Sequence, residues 1–187
     1  MENLKEKYNK EVVPEMMKRM GYRNNMAVPS IRKVVLNSSF GKEVVGKSAS
    51  EREKLQNFIM QDLSLIAGQR TSLVKSKKSI AGFKLREGLE IAATVTLRKN
   101  KMWDFIERFI YLSLPRSRDF KGIDPKSIDK NGNLSMGFRE HISFPEIFTE
   151  KEKTIFGLEI TIVTNAKSKE EGLELYKLLG FPMKEAK

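Results

Sequence analysis

From Glu90 to Arg98 the chain alternates strictly: Ile91, Ala93, Val95 and Leu97 fall on one face, and Ala92, Thr94, Thr96 and Arg98 on the other. A helix would scatter these residues around its circumference, so the segment is read as a β-strand with one covered face. Immediately afterwards the period changes. Met102, Phe105, Ile106, Phe109 and Ser113 follow a helical stripe with charged residues between them, and Pro115 is expected to end it. Trp103 lies beside this stripe, with core and surface roles both open.

The same two periods recur along the chain. Leu4, Tyr8 and Val12 are spaced for a helix that Pro14 interrupts or restarts before Met16, Met17 and Met20, with Gly21 as the stop. The methionines read as core or docking contacts. Residues 31–40 are strand-like: if Val34 and Leu36 point inward, Lys33, Val35 and Asn37 lie on the opposite face. Leu55, Ile59, Leu63 and Ile66 predict a long helix stopped by Gly68, and residues 71–74 a short strand. Further strands are expected around 134–139 and at 157–164. Ser168 and Glu171 have capping-box spacing and open a helix that runs through Leu175, Leu178 and Leu179 to Gly180. Strands and helices mix without a regular βαβ repeat. The expected fold is therefore one α+β domain over residues 1–187, a mainly antiparallel sheet with helices packed on one face. Function is sought in the extended connections, 75–88 and 115–133.

Charge narrows the partners. Against 24 acidic residues stand 35 Lys and Arg, for a net charge of +11, which points to nucleic acid or an anionic membrane surface. No run approaches the roughly 18 apolar residues of a spanning helix, and the charged start Met-Glu-Asn-Leu-Lys-Glu-Lys-Tyr lacks the apolar stretch of a signal peptide. The absence of cysteine excludes disulfides and thiolate metal sites and suits a reducing compartment. A soluble, cytoplasmic protein with no membrane partner is expected.

Catalysis lacks its usual parts. His141 is the only histidine, read as a surface or packing residue, so no histidine metal cluster can form within one chain. There is no phosphate-loop or dinucleotide glycine pattern, and no cofactor or metal is expected. An RNA-processing enzyme would need a convergent site of which the sequence shows no sign.

The basic connection is a better candidate. Residues 63–86 contain no acid, and from Arg70 to Arg86 there are six basic residues. Lys75, Lys77, Lys78, Lys84 and Arg86 can neutralise phosphates. Ser76 and Ser79 can donate to phosphate oxygens, Gly82 permits close backbone approach, and Phe83 can stack on an exposed base. The competing reading is a solvated charged loop with Phe83 in the core. A loop shaped by its partner is expected to be disordered alone. A second cluster, Arg116, Arg118 and Lys121, is diluted by Asp119 and Asp124; an internal salt-bridge network there is as good a reading as phosphate binding.

The words Lys77-Lys-Ser-Ile-Ala-Gly-Phe-Lys-Leu-Arg-Glu-Gly88, Val95-Thr-Leu-Arg98 and Leu114-Pro-Arg-Ser-Arg-Asp-Phe-Lys-Gly122 occur in that order. They are followed by Gly132-Asn133, Phe144-Pro-Glu-Ile147 and Glu159-Ile-Thr-Ile-Val-Thr-Asn-Ala-Lys167. With Tyr8, Val13-Pro14 and Ala67-Gly-Gln69, they closely resemble the bacterial form of the large-subunit ribosomal protein L-five family. The resemblance covers nearly the whole chain.

That resemblance implies a non-catalytic protein that binds 5S rRNA in the central protuberance. It further implies contacts with large-subunit rRNA, P-site tRNA, a protein of the small-subunit head and other central-protuberance ribosomal proteins, with a sheet face meeting RNA. Lys33, Asn37, Gln69 and Thr96 match positions used at the 5S rRNA interface. The segment with Lys75, Lys77, Lys78, Ser79, Gly82, Phe83, Lys84 and Arg86 corresponds to a tRNA/rRNA-facing loop. Segments 109–122 and 133–147 are expected nearer the intersubunit side. Three residues stand where the family has glycine: Ala92, Lys99 and Lys130. They bring the geometry of their turns into question, because non-glycine residues resist positive φ.

Overall fold

The computed structural model describes residues 3–118, 120–147 and 154–184, so Asp119 and Phe148 lie outside the described residues. Five strands, β1 (Ile31–Ser39), β2 (Ser72–Lys75), β3 (Glu90–Leu97), β4 (Leu134–Phe138) and β5 (Leu158–Thr164), form one sheet in the order β2-β3-β1-β5-β4. Neighbours run antiparallel. Ser72 pairs with Thr94 and Lys75 with Glu90, with a register shift after Val74. The Phe40 amide donates to Ile91 O at 2.9 Å, and Thr94 Oγ1 donates to Leu36 O at 3.1 Å. Ser38 Oγ meets Gly157 O at 2.8 Å, whereas Asn165 N meets Ser30 O at 3.2 Å, so β1 and β5 run opposite ways.

Alternation decides which residues are covered. On β1, Val34, Leu36 and Ser38 are buried while Lys33, Val35 and Asn37 are half-buried; on β3, Ala93, Val95 and Leu97 are buried against half-buried Thr94 and Thr96. β5 repeats the pattern with Leu158, Ile160, Ile162 and Thr164 inside. The sheet thus has one covered and one open face, as a half-buried antiparallel sheet should. Ala92 departs from the alternation: it lies on the open side of β3 and is nevertheless buried.

The chain clusters into two compact units. The first comprises Met1–Val34, Leu97–Met136 and Thr161–Lys187; the second comprises Val35–Thr96 and Gly137–Ile160.

In the first unit, α1 (Leu4–Lys7) and α2 (Val13–Met20) are joined by a π-helical turn, Tyr8–Val12. A second such turn, Phe109–Ser113, joins α5 (Lys99–Arg108) to the short α6 (Leu114–Arg116). Both turns precede a proline, Pro14 and Pro115. A proline lacks the N–H for an ordinary helical bond, and its ring presses on the carbonyl four residues back. Widening the preceding turn relieves both: Val13 N–H donates to Tyr8 O, and Leu114 N–H to Phe109 O. Pro115 therefore does not end its helix, which carries on to Arg116. Trp103 is buried, its ring centroid 5.4 Å from that of Tyr8, and Met16 is core. The terminal helix α7 (Lys169–Leu179) starts on Ser168, whose hydroxyl accepts from Glu171 N; Glu171 reaches back to Lys167 N at 2.8 Å, one residue beyond a regular capping box.

In the second unit, α3 (Gly41–Val44) follows β1, and α4 (Ala49–Ala67) buries Leu55, Ile59, Leu63 and Ile66. It begins before its apolar stripe because Ser48 and Glu51 form a full capping box. Gln56 Nε2 donates to Glu90 O, tying α4 to β3. His141 is a packing residue. Fully buried, it stacks on Phe156 at 3.9 Å, accepts Phe156 N–H on Nδ1 and faces Asp62 at 3.6 Å through Nε2.

Candidate nucleic-acid interface

Between β2 and β3 the acid-free stretch forms an arm. Its base is closed by Ser76 N–H to Leu89 O (2.8 Å) and Gly88 N–H to Ser76 O (3.0 Å). Further out, Ile80 and Leu85 exchange both backbone bonds, at 3.0 and 3.1 Å. A single 3-10 turn, Ala81–Phe83, makes the tip, and Lys84 takes a left-handed φ of 50° to close it. The arm thus carries a hydrogen-bonded frame of its own.

The frame assigns its side chains differently from their sequence roles. Ser76 is buried and its hydroxyl donates to Lys78 O at 2.8 Å, so it pins the arm and is not offered to phosphate. Ser79 Oγ accepts Glu87 N–H at 2.9 Å and keeps its own proton to donate. Lys75 ends β2, where its Nζ lies 3.8 Å from Glu90 Oε1 across the strand pair. Lys77, Lys78, Lys84 and Arg86 are exposed. Phe83 is 73% exposed, which rules out the core reading for it. A Cβ added at Gly82 would meet nothing within 4 Å, so close approach there is open.

The open face of the sheet carries three of the other candidates. Lys33 and Asn37 share one side of β1, and Thr96 faces out from β3; all three are half-buried. Gln69 follows Gly68, the left-handed stop of α4 (φ 61°), and its Nε2 donates to Thr96 O at 3.3 Å. The fold therefore joins Gln69 to Thr96, twenty-seven positions apart in the chain. Sequence reasoning assigned no site residue between Ser39 and Val45. Yet Ser39, Gly41, Lys42 and Val45 line a groove of about 380 Å³ with Phe83 and Leu85. The one local signal was Lys42 beside Gly41, the glycine expected to end the strand.

Of Ala92, Lys99 and Lys130, whose turn geometry the sequence left in question, one meets the difficulty. Lys99 adopts φ 55° at the start of α5. Ala92 lies within β3, and Lys130 has no positive φ because Gly132 (φ 72°) makes that turn. In the first unit Arg116 and Lys121 are exposed, as are Tyr111 and Leu112. Among the described residues, no group of acidic, histidine or cysteine side chains could hold a metal ion, and no helix is long and apolar enough to cross a membrane.

Comparison with known proteins settles the family. Residues 24–86 match the profile described as ribosomal protein L5, and residues 90–183 match the profile for the C-terminus of the same ribosomal family. The chain belongs to the ribosomal protein L5 family. It is 48% identical over 184 residues to large ribosomal subunit protein uL5 of Geotalea uraniireducens, covering 98% of this chain and 99% of that one. The uL5c protein of Tetradesmus obliquus is 46% identical over 181 residues, 97% of each chain. The uL5 protein of Francisella tularensis subsp. novicida is 46% identical over 184 residues, 98% of this chain and 99% of its own. Membership in the L5 family makes the chain a structural, RNA-binding constituent of the large ribosomal subunit with a part in translation, and not an enzyme.

Proposed function

We propose that this L5 chain binds 5S rRNA in the central protuberance, acting as one RNA-binding domain. Lys33, Asn37, Gln69 and Thr96 grip 5S rRNA through the open sheet face. The arm, with Lys75, Lys77, Lys78, Ser79, Gly82, Phe83, Lys84 and Arg86, faces P-site tRNA or large-subunit rRNA. Segments 109–122 and 133–147 lie nearer the intersubunit side, and a protein of the small-subunit head and other proteins of the protuberance are further partners. The observation that carries the reading is the Gln69 amide donating to Thr96 O at 3.3 Å, which places a polar side chain beside Thr96 at the end of the β2–β3 ladder. A pre-placed polar group loses less entropy on binding than a free one.

The test is binding of the purified protein to 5S rRNA and to an unrelated RNA of equal length across a salt series. Preference for 5S rRNA with an affinity that falls as salt rises is expected. Asn37→Ala should erode the preference. Exchanging Lys77 and Lys78 for glutamine should instead weaken tRNA and rRNA alike, flattening the salt slope by about one unit per lysine. Equal affinity for both RNAs would sink the proposal.

A further inference from the structure

The arm does more than carry charge. Phe83 and Leu85 line a groove with Ser39, Gly41, Lys42 and Val45, and its volume of about 380 Å³ lies within the range of about 300–1,000 Å³ typical of small-ligand sites. The composition of the lining is selective. Phe83, Leu85 and Val45 supply apolar surface, Gly41 adds only backbone, Ser39 adds a hydroxyl and Lys42 an ammonium. None of the lining residues is acidic, and exposed Lys77, Lys78, Lys84 and Arg86 occupy the same arm.

We infer that this groove seats one unpaired nucleotide of a bound RNA. Its base stacks on Phe83 against Val45 and Leu85, its polar edge meets the Ser39 hydroxyl, and its phosphate is neutralised by Lys42. A paired base keeps both faces inside its own stack, so the ligand is a looped or single-stranded residue. An apolar peptide segment would fill the walls but leave the cations without a counter-charge. The inference rests on the RNA-binding reading and adds to it the nucleotide class and the residues that hold it.

The probe is single-stranded hexa-adenylate carrying one central 2-aminopurine, whose emission falls when it stacks. Binding to the full chain should quench it. Phe83→Ala should weaken binding about 5- to 150-fold and abolish quenching, while Phe83→Tyr keeps both. Val45→Lys is the decisive variant: it adds a positive charge yet obstructs the groove. Weaker binding by V45K with an unchanged unfolding midpoint supports the groove. Binding as tight as the parent's or tighter, quenching that survives F83A, or no quenching in the parent overturns it. Because 5S rRNA preference is measured separately, a parent that keeps that preference while failing these tests loses only the groove assignment.

Discussion

Two glycine-bearing turns in this chain do opposite work. In the first unit, the turn from Asp129 to Asn133 is pressed against α7: a Cβ on Gly172 would sit 2.5 Å from Gly132 Cα and 2.8 Å from Gly132 O. Tyr176 is fully buried and its single hydroxyl proton is shared between Gly132 O at 3.1 Å and Ile162 O at 3.2 Å, while Thr164 Oγ1 donates to Gly132 O at 3.1 Å. In the second unit, the arm around Gly82 touches nothing at that glycine and is held by its own backbone bonds. Gly132 and Gly172 give close contact inside the protein; Gly82 leaves space outside it. One turn supports the fold, and the other is available to a partner.

The sharpest way to break this comparison is alanine at each site. Gly172→Ala should cost about 3 kcal/mol or more, since backbone on both sides must move. Gly82→Ala, in open space and without positive φ, should leave stability unchanged or raise it by up to about 1 kcal/mol. Urea unfolding reads both, and equal losses would dissolve the distinction. Next in size, Tyr176→Phe removes the buried hydroxyl shared by Gly132 O and Ile162 O, while Gly132 O keeps the Thr164 hydroxyl, and should lower stability by about 1 kcal/mol without altering RNA affinity.

Lys99 offers a smaller test of where glycine matters. It holds φ 55° at the junction of β3 and α5, a conformation that costs an ordinary residue about 1 kcal/mol. Lys99→Gly should therefore gain up to about 1 kcal/mol in the same unfolding experiment, although it removes a charge.

The smallest effect concerns pH. Burial pushes the Asp129 carboxyl upward, but hydrogen bonds from the Asn133 side chain and from the Asn133 and Asn131 amides outweigh it and hold the carboxyl below its usual range. A carboxylate depressed in the folded state adds stability above its unfolded pKa, near 4, and loses it as pH falls through the folded value. Acid unfolding should begin to loosen the 129–133 turn there, and Asp129→Asn should flatten that part of the pH–stability curve. The arm has no counterpart of this turn, and its frame should show no such dependence.

Much of the fold was legible from periodicity. The strict alternation at 90–98 and the stripe at Met102, Phe105, Ile106 and Phe109 became β3 and α5 because each period maps directly onto one buried face. The early start of α4 was not legible by that signal, since the helix opens with a polar stretch held by its Ser48–Glu51 cap. Pro115 misled as a stop, because local chemistry forbids an ordinary helical bond there but permits a π turn. At the site, the charge of the arm and the outward faces of Lys33, Asn37 and Thr96 could be read from the sequence. The burial of Ser76, the exposure of Phe83 and the groove shared with Val45 could not.

The sequence by itself determined which residues alternate, where cations gather without acids, and to which family the chain belongs, because these are properties of order along one dimension. Only the tertiary structure decided that Gln69 is held on Thr96, that Gly172 must lack a side chain and that Phe83 faces a groove. Each of those depends on the distance between residues far apart in the chain, and that distance exists only after the strands have paired.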